Sequence, residues 1–126
     1  MDKENLVLLE QKYRELESFE ERAGVIEQHI TELEALNTSL LALAENPGKE
    51  MIVPLGKGVY LPVKSQSQEV FTSIGADVLV KKTPEKTRKI IEEQVNGLRR
   101  MREELEEHCE MLRHELQHLT GEEHNH

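Results

Sequence analysis

The chain has 126 residues, of which 37% are hydrophobic and 33% are charged, so any core that it buries is small. It has no Trp, two Tyr and two Phe, which predicts a mainly aliphatic core. A formal net charge of -9 disfavours contact with phosphate backbones and anionic lipid headgroups, and this excludes nucleic acid and membranes as default partners.

The cysteine content and the N-terminus bear on the compartment. Cys109 is the single cysteine and cannot form an internal disulfide. The first residues lack the basic and apolar regions of a secretory signal, and no stretch approaches the roughly 20 apolar residues of a membrane span. We therefore expect a soluble protein of a reducing, cytoplasmic compartment.

Residues 3–46 contain no proline and a single glycine, and their periodicity predicts one long helix. Most steps alternate between three and four residues, as in the seam of a coiled coil. The seam positions are Leu6, Leu9, Tyr13, Leu16, Phe19, Ala23, Ile26, Ile30, Leu33, Asn37, Leu40 and Ala44. A repeated three-residue step from Leu16 to Phe19 predicts local overwinding, and the lone polar Asn37 is expected to set the pairing register.

After residues 46–48, Asn-Pro-Gly, the sequence changes to β-branched runs separated by Gly and Pro. We predict strands at 51–55, 59–64, 69–74 and 76–81, arranged as two hairpins. Pro54 and Pro62 lack a donor for the strand ladder and are expected at edges or bulges. So small a sheet needs partner strands to cover it. The candidate assembly residues are Val53, Leu55, Val59, Leu61, Val70, Ile74, Val78 and Val80.

A second long helix is predicted over 84–120, followed by a tail at 121–126. Thr83 and Pro84 are typical of a helix start, as capping hydroxyl and first helical residue. The seam of this second helix keeps strict steps of four and three residues. Arg102 is its polar member, and Met101 beside it could take the seam position instead. The seam positions are Ile91, Val95, Leu98, Arg102, Leu105, Cys109, Leu112, Leu116 and Leu119. At roughly 65 and 55 Å the helices match closely enough to pair antiparallel.

Residues 114–124 match a zinc-peptidase signature, H-E-x-x-H-x-x-G-x-x-H, in which His114, His118 and His124 would bind the metal and Glu115 would activate water. The seam places the first two histidines on the solvated face, and the sequence has no Met-containing turn after the motif. We therefore expect no catalytic metal and no cofactor, with adventitious zinc or nickel binding as the more plausible alternative. Cys109 beside His108 resembles a nucleophile and base, but its seam position favours an inert thiol.

The region between the helices resembles the alpha-type subunits of the prefoldin family. The residues that carry the resemblance are Ile52-Val53-Pro54-Leu55, Val59-Tyr60-Leu61-Pro62, Ile74-Gly75 and Val80-Lys81-Lys82-Thr83-Pro84-Glu85. The segment from Ile52 to Glu85 that contains them covers about a quarter of the chain, and the architecture matches over nearly all of it. Asp77 departs from the family pattern, in which a second glycine is expected after Gly75.

The resemblance implies an α+β fold in one domain over 1–126, with an antiparallel coiled coil of two long helices and two β-hairpins that join an oligomeric β-barrel. It implies an ATP-independent co-chaperone without enzymatic activity, in a hexamer of two alpha-type and four beta-type subunits. Coiled-coil tips would hold unfolded proteins and deliver them to a group II chaperonin in the cytoplasm.

Four consecutive apolar residues, 6–9, exceed what one seam buries, and we expect some of them to face outward at the tips. The candidate client-binding residues are Leu6, Val7, Leu8, Leu9, Leu116 and Leu119. A coiled-coil scaffold or tether without client binding is the rival function, and a zinc metalloprotease is a remote third. Suppression of aggregation without nucleotide would distinguish the chaperone, and sensitivity to a chelator would distinguish the peptidase.

Overall fold

The computed structural model describes the backbone of residues 2–124 and the side chains of residues 2–121. The described chain forms two compact units, each containing part of both helices. The coil unit falls within Met1–Glu32 and Val95–His126, and the hairpin unit is Leu33–Gln94.

Two long helices begin at well-formed caps. Helix α1 is Lys3–Glu45, and the Asp2 carboxylate accepts hydrogen bonds from the amides of Glu4 at 2.8 Å and Asn5 at 3.2 Å. Helix α2 is Pro84–His124, and the Thr83 hydroxyl oxygen accepts a hydrogen bond from the Lys86 amide at 3.2 Å. Within residues 2–124, neither helix has a stretch apolar enough to cross a membrane.

Helix α2 continues past residue 120, where the sequence predicted a tail. One glycine inside a helix costs only about 1 kcal/mol relative to alanine, so Gly121 does not end it. The Thr120 hydroxyl donates to the carbonyl oxygens of Leu116 and Gln117, and so stays bonded within the helix.

In the coil unit the two helices pair antiparallel. Three ion pairs between the helices show this direction, because the residue numbers rise along α1 while they fall along α2. They are Lys12 with Glu115, Glu20 with Arg113, and Glu27 with Arg102. The buried cluster comprises Leu16, Cys109, Leu112 and Leu116, with Leu9 and Phe19 packed against it. The helices therefore meet along the predicted apolar positions, and Cys109 lies inside that packing as the seam predicted.

The seam of α1 differs from the prediction near its start. Tyr13 is 52% exposed, while the side chain of Lys12 is only 22% exposed and forms an ion pair with Glu115. With Lys12 in place of Tyr13, the steps from Leu9 to Lys12, Leu16 and Phe19 are three, four and three residues, so the repeated step on which the predicted overwinding rested is absent at Leu16–Phe19. Lysine fits here because its methylene stem covers apolar surface while its ammonium group reaches a carboxylate.

The seam of α2 agrees with the prediction, since all nine positions are buried or half-buried. Arg102 keeps its place in the seam, and Met101 is exposed instead of substituting for it. The hydrogen bond from Arg102 to Glu27, together with the charge of Glu27, raises the pKa of Arg102 above its ordinary value. The guanidinium therefore stays charged and joins the two helices within the coil unit.

The hairpin unit contains two separate two-stranded antiparallel sheets. Strands β1, Glu50–Gly56, and β2, Val59–Lys64, form one hairpin; β3, Val70–Ser73, and β4, Leu79–Lys82, form the other. The register shifts between Pro54 and Gly56, and Pro62 pairs with Ile52. Both prolines thus lie in edge strands, one of them next to a bulge, as predicted.

The β3–β4 turn forms without a second glycine. Ala76 and Asp77 both have positive φ, at 50° and 60°, and the Val78 amide donates to the Gly75 carbonyl at 3.0 Å. Two successive residues with positive φ are the geometry of a type I′ turn. Aspartate tolerates this region better than most residues, so the departure at Asp77 leaves the hairpin intact.

Asn37 contacts the other helix within the hairpin unit. The Arg88 Nε donates a hydrogen bond to Asn37 Oδ1 at 3.0 Å, and Arg88 also lies within 3.9 Å of Glu92. This polar contact joins α1 to α2 at a half-buried position. The role of Asn37 in setting the pairing register stays a prediction.

Candidate assembly and client surfaces

The β1–β2 hairpin is apolar on both faces, and both faces are exposed. Cross-strand pairing of Val53 with Leu61 places these two residues on one face, together with Leu55 and Val59 by the two-residue period of a strand. All four are exposed. The opposite face carries exposed Ile52, at 69%, together with Tyr60.

The β3–β4 hairpin has one half-buried face and one exposed face. Val70 and Val80 are half-buried on the same face as Thr72. The opposite face presents Phe71, at 64% exposure, and Leu79. Ile74 and Val78, at the turn, are also exposed. Of the predicted assembly residues in this hairpin, two therefore lie on the less accessible face.

Four exposed apolar residues of the hairpins were missed in the sequence reasoning: Ile52, Tyr60, Phe71 and Leu79. For Ile52 the sequence signal is the continuous apolar run of residues 51–55, which is typical of a strand covered on both faces. If the run is interpreted as a strand with one covered face, only alternate residues are selected as candidates for assembly. Two-stranded sheets are marginally stable alone, and this apolar surface is left without cover within the described part of the chain.

The predicted client residues fall into three environments in the coil unit. Leu6, Val7 and Leu8 are exposed, with Val7 at 54%, whereas Leu9 is half-buried against the core cluster. Leu119 is also half-buried. Leu116 is only 5% exposed and belongs to that cluster, so it supports the helix pairing and offers no surface for a client.

The zinc-signature residues do not converge on a metal site in the described part of the chain. His114 and His118 are exposed on α2, as the seam predicted, and the side chain of His124 lies outside the described residues. Glu115, which in the signature would activate water, is half-buried and paired with Lys12. No group of three or more metal-binding side chains occurs among the residues described. The carboxylate proposed as a base thus joins the two helices.

A groove also runs along the coil unit beside Phe19. The His108 ring stacks on Phe19 with centroids 5.2 Å apart, and the Arg22 guanidinium lies 5.7 Å from the centre of the same ring. Val25 and Met101 are exposed at its sides. The histidine is thus engaged with an aromatic ring, while Cys109 is buried in the cluster next to it.

Comparison with known families settles the relationship. The model of a family described as prefoldin subunit matches residues 13–124, nearly the whole chain. The chain belongs to the prefoldin family. Prefoldins are non-enzymatic chaperones that form oligomeric complexes.

Two curated relatives of this prefoldin are both named prefoldin subunit alpha. The protein of Methanosphaera stadtmanae is 28% identical over 94 residues, covering 67% of this chain and 66% of its own length. The protein of Methanospirillum hungatei JF-1 is 36% identical over 78 residues, covering 61% of this chain and 52% of its own length. The matches thus span less than two thirds of the length of either relative.

A solved structure supports the fold. The filamentous PFD from Methanocaldococcus jannaschii, determined by cryo-electron microscopy, matches with a TM-score of 0.73 at 23% identity. The match covers 90% of this chain and 95% of that one. This chain, with its two long helices joined by two small hairpins, therefore has the prefoldin fold.

Proposed function

We propose that this prefoldin is the alpha-type subunit of an ATP-independent co-chaperone in the cytoplasm. It assembles with beta-type subunits into a hexamer of two alpha and four beta chains, holds unfolded proteins at the ends of its coiled coils, and passes them to a group II chaperonin. The observation that carries the proposal is the pair of apolar hairpins exposed on a chain of this family.

The assembly part of the proposal rests on the number and type of strands. Two hairpins provide four strands, and the apolar residues on both faces of β1–β2 need cover from other chains. The two relatives named as alpha subunits support the choice of subunit type. A barrel closed by strands of several subunits removes the unpaired edges.

The client-binding part rests on the first residues of α1. Leu6, Val7 and Leu8 expose apolar surface beside the polar seam residue Lys12. Each such side chain contributes only about 1 kcal/mol when it is partly covered by an apolar client segment. Several arms that act on one client raise the avidity by a factor on the order of 10² to 10⁴. Weak contacts on several arms therefore suffice to hold an unfolded chain without nucleotide.

The test replaces Val7 and Leu8 by Ser in the hexamer formed with a beta-type subunit. This change leaves Leu9 and the buried cluster in place, so the mass of the complex should be unchanged. Suppression of the aggregation of denatured citrate synthase, without nucleotide, should require on the order of ten times more complex. Static light scattering measures the holding, and native mass spectrometry measures the assembly.

The matched control replaces Val25 and Met101 by Ser, two exposed apolar residues elsewhere in the coil unit. This control should hold the client as the unmodified complex does. Equal holding by both variants would contradict the role of the tips, and a complex without any holding activity would favour the scaffold. If the chain assembled only with itself, the proposed hexamer would be wrong.

A further inference from the structure

A basic groove lies in the hairpin unit, where β4 leads into α2. It has a volume of about 440 Å³ and is lined by Lys81, Lys82, Lys86 and Lys89. Half-buried Val80 and Ile90 provide its apolar part, and Glu69 also lines it. Four cations thus share one groove with aliphatic side chains.

Three of these lysines have no acidic partner. Among the side chains of residues 2–121, the ammonium groups of Lys82, Lys86 and Lys89 take part in no ion pair or hydrogen bond. Lys81 differs, because its ammonium group lies 5.4 Å from the centre of the Phe71 ring. Lys86 and Lys89, three residues apart on α2, project from the same side of the helix. The groove therefore presents cations whose charge the chain itself leaves unpaired.

The charged residues are distributed unevenly between the coil unit and the hairpin unit. The sequence ranges of the coil unit hold 17 acidic and 8 basic residues and so carry the whole net charge of -9. Those of the hairpin unit hold 8 residues of each sign. In the coil unit Lys12, Arg102 and Arg113 each pair with a glutamate of the other helix. In the hairpin unit Arg88 lies within 3.9 Å of Glu92, whereas Lys82, Lys86 and Lys89 have no such carboxylate among the ion pairs of the described residues.

We propose that this groove, defined by Lys82, Lys86 and Lys89 beside Val80 and Ile90, is a docking surface for an acidic segment of a partner polypeptide. Glutamate or aspartate side chains of the segment would pair with the three ammonium groups, and an aliphatic side chain between them would contact Val80 and Ile90. The lysines alone would also suit a phosphate backbone, but the aliphatic lining of Val80 and Ile90 favours a peptide that carries an aliphatic side chain. This surface goes beyond the proposed client site, which lies in the coil unit.

The test measures binding of a fluorescein-labelled peptide of about 12 residues, with Glu pairs that flank Leu, to the full chain in the assembly in which it purifies. Fluorescence anisotropy reports the dissociation constant. The triple variant Lys82→Gln, Lys86→Gln, Lys89→Gln should bind about tenfold more weakly, since several modest ion pairs are lost together. Raising the ionic strength to about 0.5 M should weaken binding to the unmodified protein.

The matched control is Lys49→Gln, Lys57→Gln, Lys64→Gln, which changes the net charge equally in the same unit but outside the groove. It should bind the peptide within about twofold of the unmodified protein. Equal losses in both variants would overturn the proposal, because net charge alone would explain them. Lysine-dependent binding of a single-stranded DNA oligonucleotide in preference to the peptide would also overturn it. A changed assembly mass in the groove variant would assign these lysines to a subunit interface instead.

Discussion

Lys12 and Arg102 occupy places in the helix pairing where a heptad repeat predicts apolar side chains. Each forms an ion pair with a glutamate of the opposite helix, so the cost of its partial burial is offset by a charge-assisted hydrogen bond. Replacing such pairs by apolar residues is often neutral in stability. These ion pairs instead help to fix the register of α1 against α2, because each pair can form in only one alignment of the two helices.

Ala76 is a residue whose backbone conformation costs free energy. Its φ of 50° lies in the left-handed region, where a Cβ atom meets the following carbonyl at a cost of about 1 kcal/mol. Ala76→Gly removes that contact and should raise the free energy of unfolding of the assembled protein by up to about 1 kcal/mol. Urea unfolding followed by circular dichroism measures the change.

The control for this change is Ala35→Gly, at an exposed position inside α1. There the same substitution should lower the free energy of unfolding by about 0.5–1 kcal/mol, because glycine loses more backbone entropy in a helix. A loss of stability of similar size at both positions would show that the turn is not strained in solution.

At the scale of elements, the helices are stabilised by one narrow stripe of contacts. The cluster of Leu16, Cys109, Leu112 and Leu116 is buried, while Val25 and Met111 on the same helices are largely exposed. A helix with so narrow a buried face depends on each seam residue more than a helix in a broad globular core does. The seam is therefore where substitutions should have their largest effects on stability.

Leu112→Ala should lower the free energy of unfolding by about 2–5 kcal/mol, since it removes buried methyl groups and leaves a cavity in the cluster. Circular dichroism at 222 nm during urea unfolding gives the value. Val7→Ala, at an exposed position on α1, should change it by less than about 0.5 kcal/mol. Similar losses in the two variants would mean that the helices do not pair along this seam.

The hairpins behave differently from the helices, because their apolar residues find little cover within the chain. Ile52 and Tyr60 on one face of β1–β2, and Val53 and Leu61 on the other, are all exposed. A two-stranded sheet gains too little from burial to be stable alone. The strands should therefore become fully ordered only on association with other subunits.

At the scale of the whole molecule, assembly and helix pairing should respond separately to mutation. Val59→Asp together with Leu61→Asp places two charges on one exposed face of β1–β2. Burying them in an interface would cost several kcal/mol each, so the complex with the beta-type partner should fall apart into monomers or dimers. Circular dichroism should show that these remain largely helical, and native mass spectrometry measures the assembly.

The control for the assembly variant is Val7→Asp with Leu8→Asp, which adds the same charge to exposed apolar residues at the start of α1. This control should keep the mass of the full complex. Persistence of the full complex in the hairpin variant would contradict assembly through the strands. Because the two variants have equal charge, a nonspecific effect of charge would lower the assembly of both.

Local sequence patterns were sufficient to predict the helices and strands of this protein. The cap at Thr83, the four strands in outline and the α2 seam follow from spacing, caps and turn residues within a few positions along the chain, although β4 begins at Leu79 and not at residue 76. These features depend on neighbours in sequence, whose distances are set by the backbone geometry of helix and strand. The family resemblance drawn from the hairpin motifs was likewise confirmed by the match over residues 13–124.

Only the tertiary structure decided which residues of α1 face α2, and which faces of the hairpins remain open. Lys12 replaces Tyr13 in the seam because Glu115 lies opposite, and that neighbour is 103 residues away in the chain. Likewise, the exposure of Phe71 and Leu79 on β3–β4 became known only from the structure. Burial and ion pairing depend on partners that only folding brings together, and hydrophobic spacing does not specify those partners.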